Sequence, residues 1–347
     1  MSPTHPLPES FCGYLVQRDA SGLADCAWTN LPIADLPAGE VLLRVAYSSL
    51  NYKDALAYQG HPGVIKACPM VPGVDAVGTV VQSGSYEFVP GDQVLVTGFD
   101  MGMTHWGGWA QYVRVPEDWL LPLPANLTLY ESMIFGSAGL TAGLCVDTLQ
   151  KHGVLPDKGP VVVTGSTGGV GSLAVAVLAR LGYQVAAVTG KTSAHDYLRR
   201  LGASEILGRD QVDDASGKPL LSGRWSGAID TVGGNTLGTL LRSMRHSACV
   251  AACGLAASPQ LPTTVYPFIL RAITLAGIDA AWCPMAWRHQ VWLQLAGPWR
   301  PPLLAEIARD CQPEDLPRLV PEILAGRVQG RYVVCMHPES EGQETGV

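Results

Sequence analysis

The sequence predicts an α/β protein in two parts, a β-rich segment followed by a doubly wound parallel sheet. Three observations carry that expectation. Short strands separated by Gly and Pro turns fill the first third. Strands and helices then alternate from about residue 130, and one glycine-rich turn sits between a strand and a helix. A chain of 347 residues divides naturally into two domains. The expected division is a first domain over 12–130, completed by a returning segment 310–337, and a second domain over 131–309.

In the first part, residues 41–47, 78–82, 92–97 and 109–115 read as strands at the pitch of a small barrel or sandwich. Residues 129–150 read as helix, weakened by Gly136, Gly139 and Gly143 near its middle. Residues 160–164 form a short apolar strand, followed by the glycine turn and a helix over 172–181. Strands are then expected at 185–189, 205–207, 227–232 and 248–253, with helices at 197–201 and 237–244. Such alternation means βαβ units and a parallel sheet. A helix at 316–324 and a strand at 331–335 follow. A lone strand after a doubly wound domain often returns to pair with the domain before it.

Composition narrows the function classes. With 47% hydrophobic and 15% charged residues, the chain has ample core and is too apolar for disorder. A net charge of −7 and the lack of a basic stripe argue against nucleic acid. The apolar stretches 172–181 and 185–188 are too short to span a bilayer and are interrupted by Arg180 and Gly182, so no membrane role is expected. Residues 1–10 lack a basic stretch followed by an apolar run, which argues against a cleaved signal. The nine cysteines are odd in number, irregular in spacing and free of any C-x-x-C pair. They read as small buried hydrophobes in a reducing cytoplasm, not as a disulfide frame or a zinc lobe.

The most informative segment is Gly165-Ser-Thr167-Gly168-Gly169-Val170-Gly171, directly after a strand and before a helix. Its spacing is Gly-x-x-Gly-x-x-Gly, a departure from the strict G-x-G-x-x-G pattern, but the physical requirement is met. Glycines let backbone N–H groups approach a pyrophosphate, and the helix N-terminus adds partial positive charge. An NAD site places Asp or Glu at the end of the next strand to hold the ribose 2′-hydroxyl. Here Thr189, Gly190 and Lys191 stand there, and Arg209 follows the strand after. A hydroxyl, a glycine and two cations suit a 2′-phosphate, so NADPH is the expected cofactor.

Several stretches together resemble a known family. They are 48–54 (Ser-Ser-Leu-Asn-Tyr-Lys-Asp), 72–78 (Pro-Gly-Val-Asp-Ala-Val-Gly), 104–108 (Thr-His-Trp-Gly-Gly), the turn 165–171, and 261–271 (Leu-Pro-Thr-Thr-Val-Tyr-Pro-Phe-Ile-Leu-Arg). The chain resembles the quinone-oxidoreductase-like branch of the medium-chain dehydrogenase/reductases, and within it the acryloyl-CoA reductase group. The likeness runs from about residue 42 to 334. It implies a GroES-like β-rich domain, a Rossmann NADPH-binding domain and a homo-oligomer, commonly a homodimer. It also places Leu255, Ile269 and Asp279 near the nicotinamide. Zinc-dependent relatives carry His in the segment that reads Pro72-Gly73-Val74-Asp75 here, and a Cys before it. Val74 replaces that His and no Cys lies near Asn51, so no metal site is expected.

Without a metal, the acceptor should already be polarised by conjugation, as in an α,β-unsaturated carbonyl. Hydride reaches the β-carbon, negative charge develops on the carbonyl oxygen, and hydrogen-bond donors must meet it. Asn51, Tyr52 and Asp54 are the candidate catalytic residues. Tyr52 either donates a hydrogen bond or covers the nicotinamide face, and Asn51 either donates to a carbonyl or fixes its loop. Asp54 is a catalytic group or a first-turn helix carboxylate. Asp75, His105 and the Gly107–Gly108 turn read as structural. Arg271, Arg288, Arg300 and Arg331 are the cations available to CoA phosphates. The resemblance implies NADPH-dependent reduction of a short enoyl-CoA thioester, acryloyl-CoA being the type substrate. A quinone or free enone is the alternative acceptor, since the fold does not choose between them.

Overall fold

The computed structural model describes residues 7–20 and 22–337. The readings of residues 1–6 and of the tail after His337 lie outside them. The chain divides into two compact units. One holds the described residues up to Ser137, Ala308–Arg327 and those from Tyr332 onward, and the other holds Ala138–Ile307 and Val328–Arg331.

The first unit begins with an antiparallel hairpin of β1 (Ser10–Arg18) and β2 (Ala24–Pro32). Then come β3 (Val41–Ser49), α1 (Tyr52–Tyr58), β4 (Asp75–Ser83), β5 (Gln93–Thr97), β6 (Tyr112–Val115) and β7 (Leu121–Pro122). β3 is the central strand, with Val41, Leu42, Leu43 and Val45 at most 1% exposed. Such a near-continuous apolar run is what a strand covered on both faces requires. The helix α2 (Leu129–Lys151) starts in this unit. Inside it Gly136 takes φ 49° and ψ −153°, left-handed backbone that glycine adopts without a Cβ penalty, and helical geometry is interrupted there. The division between units follows this interruption, later than the residue 130 expected.

The second unit is a six-stranded, fully parallel sheet in the order β10-β9-β8-β11-β12-β13. Its strands are β8 (Val161–Val163), β9 (Val185–Val188), β10 (Glu205–Leu207), β11 (Trp225–Asp230), β12 (Met244–Ala252) and β13 (Thr274–Gly277). The helices are α3 (Gly169–Arg180), α4 (His195–Arg200), α5 (Gly234–Ser243), α6 (Tyr266–Arg271) and α7 (Met285–Ala296). β8 and β9 are wholly buried, and α3 buries every residue from Gly171 to Leu178. Relative to β8, strand order reverses between β9 and β11, and the carboxyl-edge crevice at such a point is where doubly wound sheets bind ligands.

The chain returns to the first unit with β14 (Ala308–Cys311), α8 (Leu316–Leu324) and β15 (Arg331–Cys335). The first unit's main sheet runs β14-β15-β3-β4-β5-β7, with β6 also paired to β3. Leu316, Leu319 and Val320 give α8 its buried stripe at i, i+3 and i+4. α2 is long and apolar enough to cross a membrane, although no such span is expected from the shorter apolar stretches; its most apolar part is 89% buried, the pattern of a core helix.

Candidate active site

The turn after β8 is shaped by backbone. Gly165 adopts φ 58°, and a Cβ there would collide with Thr231 Oγ1. A Cβ on Gly171 would collide with the Gly165 carbonyl. Only glycine lets the first turn of α3 fold this tightly onto the strand end. Ser166 ties the turn to β9: its Oγ donates to Val163 O at 2.7 Å and accepts from Val188 N at 2.9 Å. No side chain caps α3 at Gly168, and the N–H groups of Gly169, Val170 and Gly171 meet no acceptor among the described residues. Three open donors at the positive end of a buried helix form a place for an anion. Thr167 stands in the same turn, buried, its carbonyl accepting from Gly330 N at 2.9 Å.

The end of β9 carries the second anion-binding feature. Thr189 Oγ1 accepts from Lys191 N at 3.0 Å, which curls Gly190 outward. A Cβ on Gly190 would lie 2.8 Å from Arg209 Nε, so the Arg209 side chain packs close against that glycine. Burial and then the positive charge of Arg209 hold the Lys191 ammonium below its ordinary value. Lys191 Nζ donates to Val328 O at 2.8 Å, while the exposed Arg209 side chain has no partner among the described residues. Two cations are thus held together although they repel, with no carboxylate at the strand end.

Leu255 and Asp279 follow the carboxyl ends of β12 and β13, on the same sheet edge as Gly165 and Thr189. Leu255 is 64% exposed. Asp279 Oδ1 accepts from Ala281 N at 3.0 Å and Trp282 N at 3.3 Å, which makes it the organiser of its loop. The buried Arg288 supports that loop through Ala280 O and Ala281 O. Ile269 lies on α6, in the connection between β12 and β13, and is 68% exposed.

In the first unit, Asn51, Tyr52 and Asp54 share the start of α1 but not one environment. Tyr52 is 50% exposed, and its hydroxyl has no partner among the described residues. Asp54 is fully buried. It accepts from Asn51 N and Val74 N, both at 2.8 Å, and from Asn51 Nδ2 at 3.0 Å. Asn51 Nδ2 also reaches Asp75 Oδ2 at 2.9 Å and Ser49 Oγ at 3.0 Å. The Asn51 amide is therefore turned inward, and Asp54 is out of a substrate's reach. Both are corrected from catalytic candidates to residues that fix the helix start. Burial first, and then the Asp75 charge, push the Asp54 carboxyl up to about 7 against the opposing pull of its N–H donors. His105 is structural, its Nε2 lying 2.6 Å from Arg114 O and its pKa lowered chiefly by burial.

Sequence reasoning missed several partners. Ser137 donates to Asp75 from both backbone and side chain. Asp230 joins the glycine turn to the next loop, accepting from Thr164 Oγ1 at 2.7 Å and Gly233 N at 2.8 Å. Arg331, only 2% exposed, runs beside Gly169 at the start of α3. Arg271 donates to Leu221 O, Arg242 O and Met244 O. Arg271, Arg288 and Arg331 are thus built into the second unit and are not free surface cations. Ser137 follows a helix-breaking glycine, which was a local signal for a capped restart. The other partners lie far away in sequence and had none.

The zinc chemistry of the wider fold does not fit these residues. Val74 occupies the ligand position, and no group of three or more His, Cys, Asp or Glu side chains among the described residues could hold a metal ion.

A β-rich unit and a parallel-sheet unit with an open glycine turn define a dinucleotide-dependent dehydrogenase or reductase scaffold. Comparison with known proteins agrees. The model of the alcohol dehydrogenase GroES-like domain matches residues 37–125, and that of the zinc-binding dehydrogenase matches 169–292. The acrylyl-CoA reductase AcuI of Ruegeria pomeroyi is 45% identical over 93% of this chain and 98% of its own. The putative quinone oxidoreductase YhfP of Bacillus subtilis is 45% identical over 86% of this chain and 91% of its own. A crystal structure of YhfP with NAD bound superposes with TM-score 0.92 at 42% identity, covering 94% of this chain and 100% of that one. The yhdH oxidoreductase of Salmonella enterica, solved in complex with NADP, gives TM-score 0.91 at 45% identity, with the same two coverages. The chain belongs to the medium-chain dehydrogenase/reductase family.

Proposed function

We propose that this protein reduces the C=C bond of a short α,β-unsaturated acyl-CoA with NADPH, acryloyl-CoA to propanoyl-CoA being the leading reaction. The observation that carries the substrate is the 45% identity to an acrylyl-CoA reductase across 98% of that relative. The cofactor choice rests on Lys191 and Arg209, held together with no competing carboxylate. They meet the 2′-phosphate, with Thr189 and Gly190 shaping the pocket floor. The N–H groups of Gly169, Val170 and Gly171 bind the pyrophosphate within the turn of Gly165, Thr167 and Gly168, and Arg331 adds charge beside it. Leu255 supplies an apolar wall, and the loop organised by Asp279 closes the same edge.

Bound NADPH supplies the hydride that reaches the substrate β-carbon. Tyr52 donates its free hydroxyl to the thioester oxygen as negative charge develops there, and its ring offers an apolar face. A proton then reaches the α-carbon from water or an acid. Asn51 and Asp54 hold the backbone from which Tyr52 projects.

A second reading, reduction of a quinone or free enone, draws on the likeness to YhfP. The active form is read as a homodimer. Val265, Tyr266, Ile269 and Leu270 expose 47–68% of their surface beside β13, the free edge of the parallel sheet, and a second copy would cover them. Nine free thiols suit the cytoplasm.

The deciding experiment compares NADPH oxidation with acryloyl-CoA, crotonyl-CoA and 1,4-benzoquinone at equal concentration. The highest kcat/KM is expected with acryloyl-CoA. Turnover of the quinone with both CoA esters inert would replace the thioester reading with the second one. Sedimentation should give the mass of two chains.

A further inference from the structure

The Asp75 carboxylate is wholly buried, and its donors come from two chain segments far apart in sequence, the stretch from Ser49 to Asn51 and Ser137. Ser49 Oγ at the end of β3 and Asn51 Nδ2 before α1 reach Oδ2 at 2.5 and 2.9 Å. Ser137, just past the break at Gly136, donates its N–H at 3.0 Å and its hydroxyl at 2.5 Å. The Ser48 hydroxyl also donates to the Asp75 carbonyl at 2.7 Å. One carboxylate therefore fixes the strand end, the α1 start and the restarted α2.

A second carboxylate, Asp54, sits on the same Asn51 amide, and the two charges work against each other. A helix start needs only one Ser, Thr, Asn or Asp, and burying a second acid beside the first is unfavourable without compensating bonds. The arrangement does achieve one thing that a single cap does not. Asn51 is held on its backbone N–H by Asp54 and on its side chain by Asp75, which anchors the backbone entering Tyr52 at two points. The Tyr52 hydroxyl has no partner among the described residues, so its placement starts from that backbone.

We infer that Asp75 is a positioning residue for the reduction, acting through Asn51 and the start of α1 to aim the Tyr52 hydroxyl at the substrate oxygen. This rests on the role given to Tyr52 above. Asp75 touches neither substrate nor cofactor, so its loss lowers kcat while adenosine-end binding on the second unit is untouched.

A double-mutant cycle tests this. Asp75→Asn and Ser49→Ala are each combined with Tyr52→Phe. The readouts are kcat with acryloyl-CoA and the Kd of 2′-phospho-ADP-ribose, a probe carrying only the cofactor's adenosine end. Each single change should lower kcat, Asp75→Asn by about tenfold and Ser49→Ala by about threefold, with the probe's Kd within about twofold of wild type. In the Tyr52→Phe background both losses should disappear. Additive losses with an impaired Tyr52→Phe overturn the Asp75 role alone, as does a probe affinity that falls in step with kcat. A wild-type kcat in Tyr52→Phe overturns the Tyr52 role and the inference resting on it. Should Asp75→Asn fail to fold, the Ser49→Ala cycle decides by the same outcomes.

Discussion

The start of α1 and the start of α3 solve opposite problems with the same element, a helix N-terminus. At α1 buried side chains meet the donors: Asp54 accepts from Asn51 N and Val74 N, and Asp75 holds Asn51 from behind. At α3 no side chain among the described residues caps the helix, and the turn keeps its shape through glycine, Ser166 and the Gly330–Thr167 bond. A closed terminus fixes a neighbouring side chain. An open one keeps its donors for a ligand.

Three changes would break or sharpen this contrast. The largest effect is expected from Gly171→Ala, because its methyl meets the Gly165 carbonyl and forces the open turn apart. NADPH affinity, measured by fluorescence titration, should fall roughly hundredfold. Lys191→Ala comes next. It should raise the KM for NADPH roughly tenfold and leave that for NADH nearly unchanged, whereas equal effects on both would remove the phosphate role.

The smallest effect concerns the closed terminus. The folded Asp54 carboxyl stands at about 7, above its ordinary 3.8, so the folded state binds the proton more tightly than the unfolded chain. The stability that accompanies the protonated group is fully present below 3.8 and is lost as pH rises through about 7. Thermal unfolding should therefore show a modest decline in Tm across this window, and Asp54→Asn should flatten it. A wild-type Tm that rises steadily over the same range would mean that the N–H donors outweigh burial.

The parts of the molecule legible in the sequence are those whose cause is local. The turn 165–171, β8, β9 and α8 are written in neighbouring residues, and so is the helix α2 with its weak point at glycine. The β1–β2 hairpin was not legible because the sequence of β2 breaks the two-residue period, Cys26, Ala27 and Trp28 being apolar in a row. α6, α7 and β13 lacked a clear period for the same reason: α7 carries Trp, Arg, His and Gln among its apolar residues, with Arg288 buried. At the site, Tyr52, Lys191 and Arg209 could be named from residue type and place. The inward turn of Asn51 could not, because it depends on Asp75, twenty-four positions on, and on Ser137 beyond it.

The pairing of β15 with β3 has a bearing on how the chain is made. Ser48 and Ser49 lie opposite Val334 and Val333, nearly three hundred positions apart in the order of translation. While the ribosome is still producing the second unit, this half of the β3 edge has no neighbour, and it leads directly into Asn51 and Tyr52. The first unit to emerge is thus among the last to be finished. Its open strand edge is the stretch that a nascent-chain chaperone, or an aggregate, would meet first.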